Sequence, residues 1–258
     1  MAISEPSKSL RNLVLAALTG LSFTAAPLSA ALIYSDDFSG SPDDLNGSAP
    51  DIGPGTWIAS NVFNQDGSID PNAGSATLAF TPADGTVYHL DASLSGVSGN
   101  GNWFALGFGS GQSDLIGPNT RFTNGLHLGK AWMLFPGNTD GHQAFRGSDT
   151  SGTANGVGWS ALATETGEID MRIELDTTGG AGAWAATWFA RNPADSSYTV
   201  VRATETLLDE SINSVGLALA NTGIDGTVES FSLTAIPEPS AAALLALSGL
   251  VLMRRRRK

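Results

Sequence analysis

The residues able to do chemistry are three histidines, a scatter of acids in Gly- and Asn-rich stretches, and six tryptophans. His89, His127 and His142 have no i, i+4 partner and the chain has no cysteine, so the helical zinc pattern is absent. The acids are more suggestive. Asp36-Asp37, Asp43-Asp44, Asp66 with Asp70, and Asn138 with Asp140 all fall in turn-rich stretches. Calcium takes oxygen ligands from such loops. None of these runs has EF-hand spacing, and Asp and Asn also serve turns through their own backbone bonds. Calcium is the one cofactor the sequence leaves open, with no ligand set assigned.

Glycoside hydrolysis needs two carboxylates facing each other across a cleft. Glu165 and Glu168 sit in a loop, and Glu174 and Asp176 share a strand face with Asp170 and Arg172, which reads as a solvated face. No Gly-x-Ser-x-Gly frame is present for a nucleophilic serine. No catalytic residue is assigned. Tryptophan rings stack on sugar rings and mark binding surfaces when exposed. Trp103, Trp184 and Trp188 are the candidates, although most of the six tryptophans, which include Trp57, Trp132 and Trp159, are expected to be core residues. Trp103 lies opposite the Phe104, Leu106 and Phe108 face, beside small Ala105 and Gly107; Trp184 and Trp188 share one face.

The elements that would position these residues are strands. Ile169, Met171, Ile173 and Leu175 alternate strictly with Asp170, Arg172, Glu174 and Asp176, as in an antiparallel strand with one wet face. On that pattern Met171→Asp should be severe and Arg172→Asp nearly silent. Tyr88 to Leu94 and Ala76 to Phe80 alternate in the same way. Asn102 to Phe108 is apolar on both faces and reads as a central strand. Further strands are expected over Ala131–Phe135, Trp184–Ala190, Tyr198–Ala203, Val215–Ala220 and Thr227–Thr234. Gly, Asn, Asp and Pro cluster between them, and many short strands with such turns predict a β-sandwich.

The two ends read differently. Lys8 and Arg11 precede the apolar run Leu13–Ala26, Pro27 interrupts it, and small residues follow at Ser29-Ala30-Ala31. That is a secretory signal with cleavage after Ala31 or Ala30, which implies the secretion translocon as a partner. At the other end stand Pro237-Glu238-Pro239, an uncharged run Ser240–Met253, and the cations Arg254, Arg255, Arg256, Arg257 and Lys258. A helix of 14 residues covers about 21 Å at roughly 1.5 Å per residue. A bilayer core is about 30 Å thick, so the span is short for a permanent anchor. The basic cluster acts as a stop-transfer and places the preceding domain outside the cytoplasm. The expected division is residues 1–31 signal peptide, 32–235 β-sandwich, and 236–258 sorting segment with a hydrophobic helix.

Removing the ends takes seven of the 13 basic residues and two of the 25 acidic ones, leaving six against 23, a core charge near −17. Such a core excludes nucleic acid, whose phosphates need clustered cations, and does not dock on an anionic membrane. Without cysteine, an exported domain relies on its core rather than on disulfides.

The tripeptide, the short apolar helix and the terminal arginine run together resemble the PEP-CTERM sorting domain of bacterial exported proteins. The resemblance covers about the last two dozen residues. It implies recognition by an exosortase, a membrane transpeptidase, with cleavage near the tripeptide, and association with extracellular polysaccharide or biofilm. The implied route is export, transient anchoring in the inner membrane, then the cell surface or matrix.

A second resemblance rests on LIYSDDFS (Leu32–Ser39), YHLDASLSGVSGNGNWFALGF (Tyr88–Phe108) and INSVGLALANTGIDGTVESFSLT (Ile212–Thr234). These look like the concanavalin A-like, laminin-G-like jelly rolls of exported bacterial proteins, an all-β antiparallel fold. The resemblance implies that the first and last strands pair, Ile33–Phe38 beside Val228–Leu233. An immunoglobulin-like sandwich is the alternative fold. The expected function is a non-enzymatic envelope or matrix protein that binds glycan. A secreted glycan-active hydrolase or lyase on the same scaffold is the alternative.

Overall fold

The computed structural model describes residues 29–70, 73–98, 103–111, 129–136, 143–147, 156–158, 168–220 and 225–237. The part of the expected signal segment upstream of Ser29, the expected sorting tail with Glu238, Pro239 and the terminal cations, and His127, His142 and Trp159 lie outside the described residues.

Thirteen strands and no helix occur among the described residues. They are β1 (Ala31–Asp36), β2 (Ile58–Ala59), β3 (Gly74–Ala79), β4 (Thr86–Ser98), β5 (Trp103–Gly109), β6 (Gly129–Pro136) and β7 (Gln143–Phe145). Then come β8 (Gly156–Gly158), β9 (Ile169–Asp176), β10 (Ala185–Arg191), β11 (Thr199–Thr206), β12 (Ser214–Ala220) and β13 (Asp225–Pro237). One sheet has six strands in the order β1-β13-β4-β9-β10-β11; the other has seven in the order β2-β3-β12-β5-β6-β7-β8. The pairings are antiparallel. This is a concanavalin A-like β-sandwich.

The first and last strands pair as expected, with Tyr34 opposite Leu233 and Asp36 opposite Phe231. The two-sided apolar strand β5 is the middle of its seven. β2, β7 and β8 were not foreseen; they are only two or three residues long, too short for a period to show.

Alternation decides what faces inward. Met171, Ile173 and Leu175 from β9 meet Leu106, Phe108 and Met133 in one buried cluster between the sheets. Each such side chain contributes about 1.5–3 kcal/mol by leaving water. The other side of β5 is also covered: Ala105, Trp132, Leu134, Phe145 and Ala218 form a second, smaller cluster, with Trp103 half-buried against it. The loop between β1 and β2 is fastened to β1 by a pair of backbone bonds between Ser35 and Ile52, both 3.0 Å.

Candidate functional site

Three places gather side chains that could meet a ligand: an acidic loop at the end of β1, the polar outer face of the six-stranded sheet, and the apolar outer face of the seven-stranded sheet.

At the first, β1 ends in Asp36 and the chain turns through Phe38 at a φ of 49°, in the left-handed region. Asp36 is 7% exposed, yet both its oxygens are engaged. Oδ1 accepts the Phe38 N–H at 2.9 Å and Oδ2 accepts the Trp57 indole N–H at 2.7 Å. Burial raises the Asp36 carboxyl above its ordinary range, and the charges of Asp51 and Asp37 push the same way. The bonds from Trp57 and Phe38 oppose them. Asp51 Oδ2 accepts the Asp37 N–H at 2.9 Å, and hydrogen bonds from Ser39 hold Asp37 below the usual carboxylate range. Asp36, Asp37 and Asp51 can each bring one oxygen within 4.8 Å of the others. Three hard oxygens suit calcium in kind, but calcium takes six to eight, so backbone carbonyls and water would have to complete the shell. Elsewhere the loop acids do what turn acids do. Asp66 Oδ1 accepts the Ser68 N–H and hydroxyl at 3.0 and 2.6 Å, and Ser41 donates to Asp43 at 2.7 Å.

On the outer face of the six-stranded sheet, β4 and β9 place opposite charges across from each other. His89 pairs with Glu174 at 2.9 Å, Arg172 with Asp91 at 2.7 Å, and Ser93 donates to Asp170 at 2.6 Å. Arg191 from β10 reaches the same Asp170 at 2.7 Å. The Tyr198 ring lies between two guanidiniums, 4.4 Å from Arg172 and 4.6 Å from Arg191, and its hydroxyl donates to Asp91. Burial, with Asp91 close by, drives the Tyr198 hydroxyl well above its usual pKa. Asp170, Arg172 and Glu174 therefore form a cross-strand network. Arg172 is not the unattached surface residue that alternation alone suggests.

The third place is built on absence of side chain. A Cβ on Gly107 would come within 2.5 Å of the Trp132 Cβ, and one on Gly129 within 2.4 Å of its indole. Those two glycines let Trp132 lie across the sheet. It stacks on Phe145 with ring centroids 3.7 Å apart and planes 4° from parallel. Trp103, four residues along β5 from Gly107, packs against the same outer cluster.

The three tryptophans singled out from sequence thus part company. Trp188 is fully buried between the sheets, with Arg202 over its ring at 4.9 Å, and cannot stack on a ligand. Trp184 is also buried; its indole N–H donates to Asp84 at 2.9 Å and its backbone N–H to Glu210 at 2.6 Å. These two are core residues, a correction to their reading as binding candidates. A signal for it was present: Thr187 and Arg191 mark the wet face of β10, so Trp188 must point the other way. Trp103 alone keeps partial exposure.

Each described lysine and arginine of the sandwich is ion-paired: Lys130 with Asp209, Arg146 and Arg202 with Glu205, Arg172 with Asp91, Arg191 with Asp170. Arg202 is buried, and it also donates to the Ala144 carbonyl at 2.5 Å, which ties β11 of one sheet to β7 of the other.

No family model matches the chain, and no curated protein matches it. Solved structures do. The exoplasmic/lumenal domain of VIP36 in its metal-free form is 10% identical, over 79% of this chain and 92% of that one, with a TM-score of 0.50. The same domain in a Ca2+/Man-bound form is 11% identical, over 79% and 91%, at a TM-score of 0.51. The carbohydrate recognition domain of Emp47p is 11% identical over 81% of this chain and 98% of that chain, at 0.49. At such identities the likeness to the VIP36 domain speaks to the fold alone, and it agrees with the two-sheet topology described above.

Proposed function

We propose that this is an exported, non-enzymatic protein whose sandwich binds a neutral glycan, and whose C-terminal segment is a sorting signal that is read and removed. One observation carries the binding reading: half-buried Trp103 stands at the edge of an apolar, glycine-lined outer face, on a fold shared with a domain solved with mannose. Aromatic and small apolar side chains suit the apolar face of a sugar ring. The pairing of each described cation disfavours an anionic polymer, which would need free guanidiniums or ammoniums.

The experiment is a glycan array probed with the sandwich, Ala31–Pro237, with and without calcium. Neutral glycans should bind, and Trp103→Ala should weaken the best of them about tenfold, or ~1.4 kcal/mol. Unchanged binding by that variant would remove Trp103 from the site. The calcium arm addresses Asp36, Asp37 and Asp51. If they hold the ion, added calcium raises the unfolding midpoint of the native protein and not that of Asp51→Ala.

The sorting reading is supported by the Pro-Glu-Pro tripeptide, the short apolar run and the terminal cations. Replacing Pro237, Glu238 and Pro239 with alanine should leave export intact and stop tail removal. Normal tail removal from this variant in fractionated cells would mean that the tripeptide is not read as a sorting signal.

A further inference from the structure

Of the chain's asparagines, only Asn46 is followed two residues on by a serine or threonine with no proline between, in Asn46-Gly47-Ser48. That spacing is the acceptor pattern for N-linked glycosylation, which needs a side-chain amide and a hydroxyl presented together on the surface of an exported protein. Three residues alone make a motif of low specificity, so the setting of Asn46 in the fold decides its worth. Asn46 lies in the loop between β1 and β2. The Ser48 N–H donates to the Leu45 carbonyl at 3.1 Å and closes a β-turn with Asn46 and Gly47 at its centre. Gly47 supplies the positive φ, 84°, and Asn46 a negative one, as in a type II turn.

The turn is fixed to the core on both sides. Leu45 is buried, and so is Trp57. The Gly47 N–H donates to the Trp57 carbonyl and the Trp57 N–H to the Ser48 carbonyl, each at 2.8 Å. Asn46, at the tip, is exposed. Its Oδ1 accepts the Ala59 N–H at 3.1 Å. A backbone N–H bonds the oxygen end of an amide, so Nδ2 is the end left over, and it has no partner among the described residues. Asp44, two residues ahead, is exposed as well, and its carboxylate has no partner among the described residues. The loop thus offers an enzyme a free amide nitrogen and a free charge close together in the chain.

We propose that Asn46 is the acceptor of an N-linked glycan, transferred outside the cytoplasm from a polyprenyl-diphosphate-linked oligosaccharide. This rests on the reading of the chain as exported. In the transfer, Nδ2 of Asn46 forms a bond to C1 of the first sugar while the C1–O bond to the diphosphate breaks. The lipid diphosphate leaves with the electron pair, and one amide proton passes to a carboxylate of the transferase. Nothing is oxidised or reduced. In the folded turn the Ser48 hydroxyl donates to the Leu45 carbonyl at 2.7 Å. Transfer therefore precedes closure of the turn, and the folded domain then holds the sugar outward. The other fate of an Asn-Gly pair is ring closure, in which the Gly47 nitrogen attacks the Asn46 amide and ammonia leaves. The bond from that nitrogen to the Trp57 carbonyl opposes it.

The test uses the full chain in bacterial cells supplied with an oligosaccharyltransferase and an undecaprenyl-diphosphate-linked oligosaccharide, read by intact mass and peptide mapping. The chain is made twice, with its own N-terminal segment and with a proven secretory leader in place of residues 1–31. The expected product carries one glycan, on Asn46. The glycan should be lost from Asn46→Gln and from Ser48→Ala and kept by Ser48→Thr, with the sandwich protease-resistant in all three. Because Ser48→Thr restores the hydroxyl, a loss confined to Ser48→Ala reports the acceptor and not damage to the turn. An unmodified Asn46 in the chain with the proven leader would overturn the proposal. So would a glycan that survives Asn46→Gln, or an Asn46 converted to aspartate with no sugar attached. A glycan present with the proven leader and absent with the chain's own segment would overturn the export reading and leave the acceptor standing.

Discussion

Along β4 and β9 the outward side chains are charged and joined in cross-strand pairs, whereas along β5 and β6 they are, Lys130 aside, apolar or missing. Both strand pairs bury the same kind of residue inward, so the core does not distinguish the sheets. The outer faces do. A charged face whose members satisfy one another presents no group in need of a partner, and its net worth is modest because exposed pairs are screened. The apolar residues on the outer side of β5 and β6 are already out of water, and Trp103 at the end of β5 alone among them keeps a partly exposed ring that a ligand could reach. The difference makes the outer face of the six-stranded sheet a self-contained wall, and it supports the proposed placement of glycan binding at Trp103 on the other sheet.

The sharpest way to break this comparison is to treat the two sides of one strand alike. Met171 is fully buried between the sheets. Met171→Asp strands a charge there, at about 4 kcal/mol or more, and the domain should lose its cooperative urea transition. Next in size is Gly107→Ala, which drives a methyl group to 2.5 Å from the Trp132 Cβ. Overpacking of that kind costs about 1–3 kcal/mol and should show as a lower thermal midpoint together with lost glycan binding. If Gly107→Ala keeps both, the apolar face is not packed as described. Arg172→Asp comes third. It deletes the Asp91 pair and the contact on Tyr198, and sets two carboxylates opposite each other, for about 1 kcal/mol by denaturation. A silent Arg172→Asp would mean that the polar network contributes nothing.

How much of this was legible depends on the range of the signal. The inward face of β9 follows from period two alone, and so does the two-sided character of β5. The pairing of Arg172 with Asp91 does not, because the partners are 81 residues apart and only the β4–β9 register brings them level. The same holds for Asp36 and Trp57, 21 residues apart, whose bond needs the loop to fold back on β1. Trp188 was misread for another reason. β10 carries large aromatics on both faces, Trp188 inward and Phe189 outward, and aromatic content alone cannot say which is which. The strand face of Trp103 follows from its alternation with Phe104, Leu106 and Phe108, which face the core.

The smallest effect concerns charge at the apolar face. Lys130 precedes Trp132 by two residues in β6 and is 4% exposed, and its partner is Asp209. Burial by itself would raise the Asp209 carboxyl. The hydrogen bonds from Lys130 and Ser211, with the Lys130 charge, outweigh it and bring the group down to about 2 from 3.8. A depressed folded value means the pair stabilises the protein above the unfolded pKa. That contribution is lost as pH falls from near 3.8 through about 2. Asp36 runs the other way, because its folded value is raised and its charged form opposes folding as pH rises through that value. Asp209 is 43% exposed, so water screens the pair and the effect is small. Urea midpoints for native protein and Asp209→Asn should differ at pH 5 and converge as pH approaches 2. A gap that persists to pH 2 would show that Asp209 acts through its bonds to Ser211 and not through the Lys130 charge. The apolar face would then tolerate its one described cation without electrostatic help, and the contrast between the two sheets would be one of shape alone.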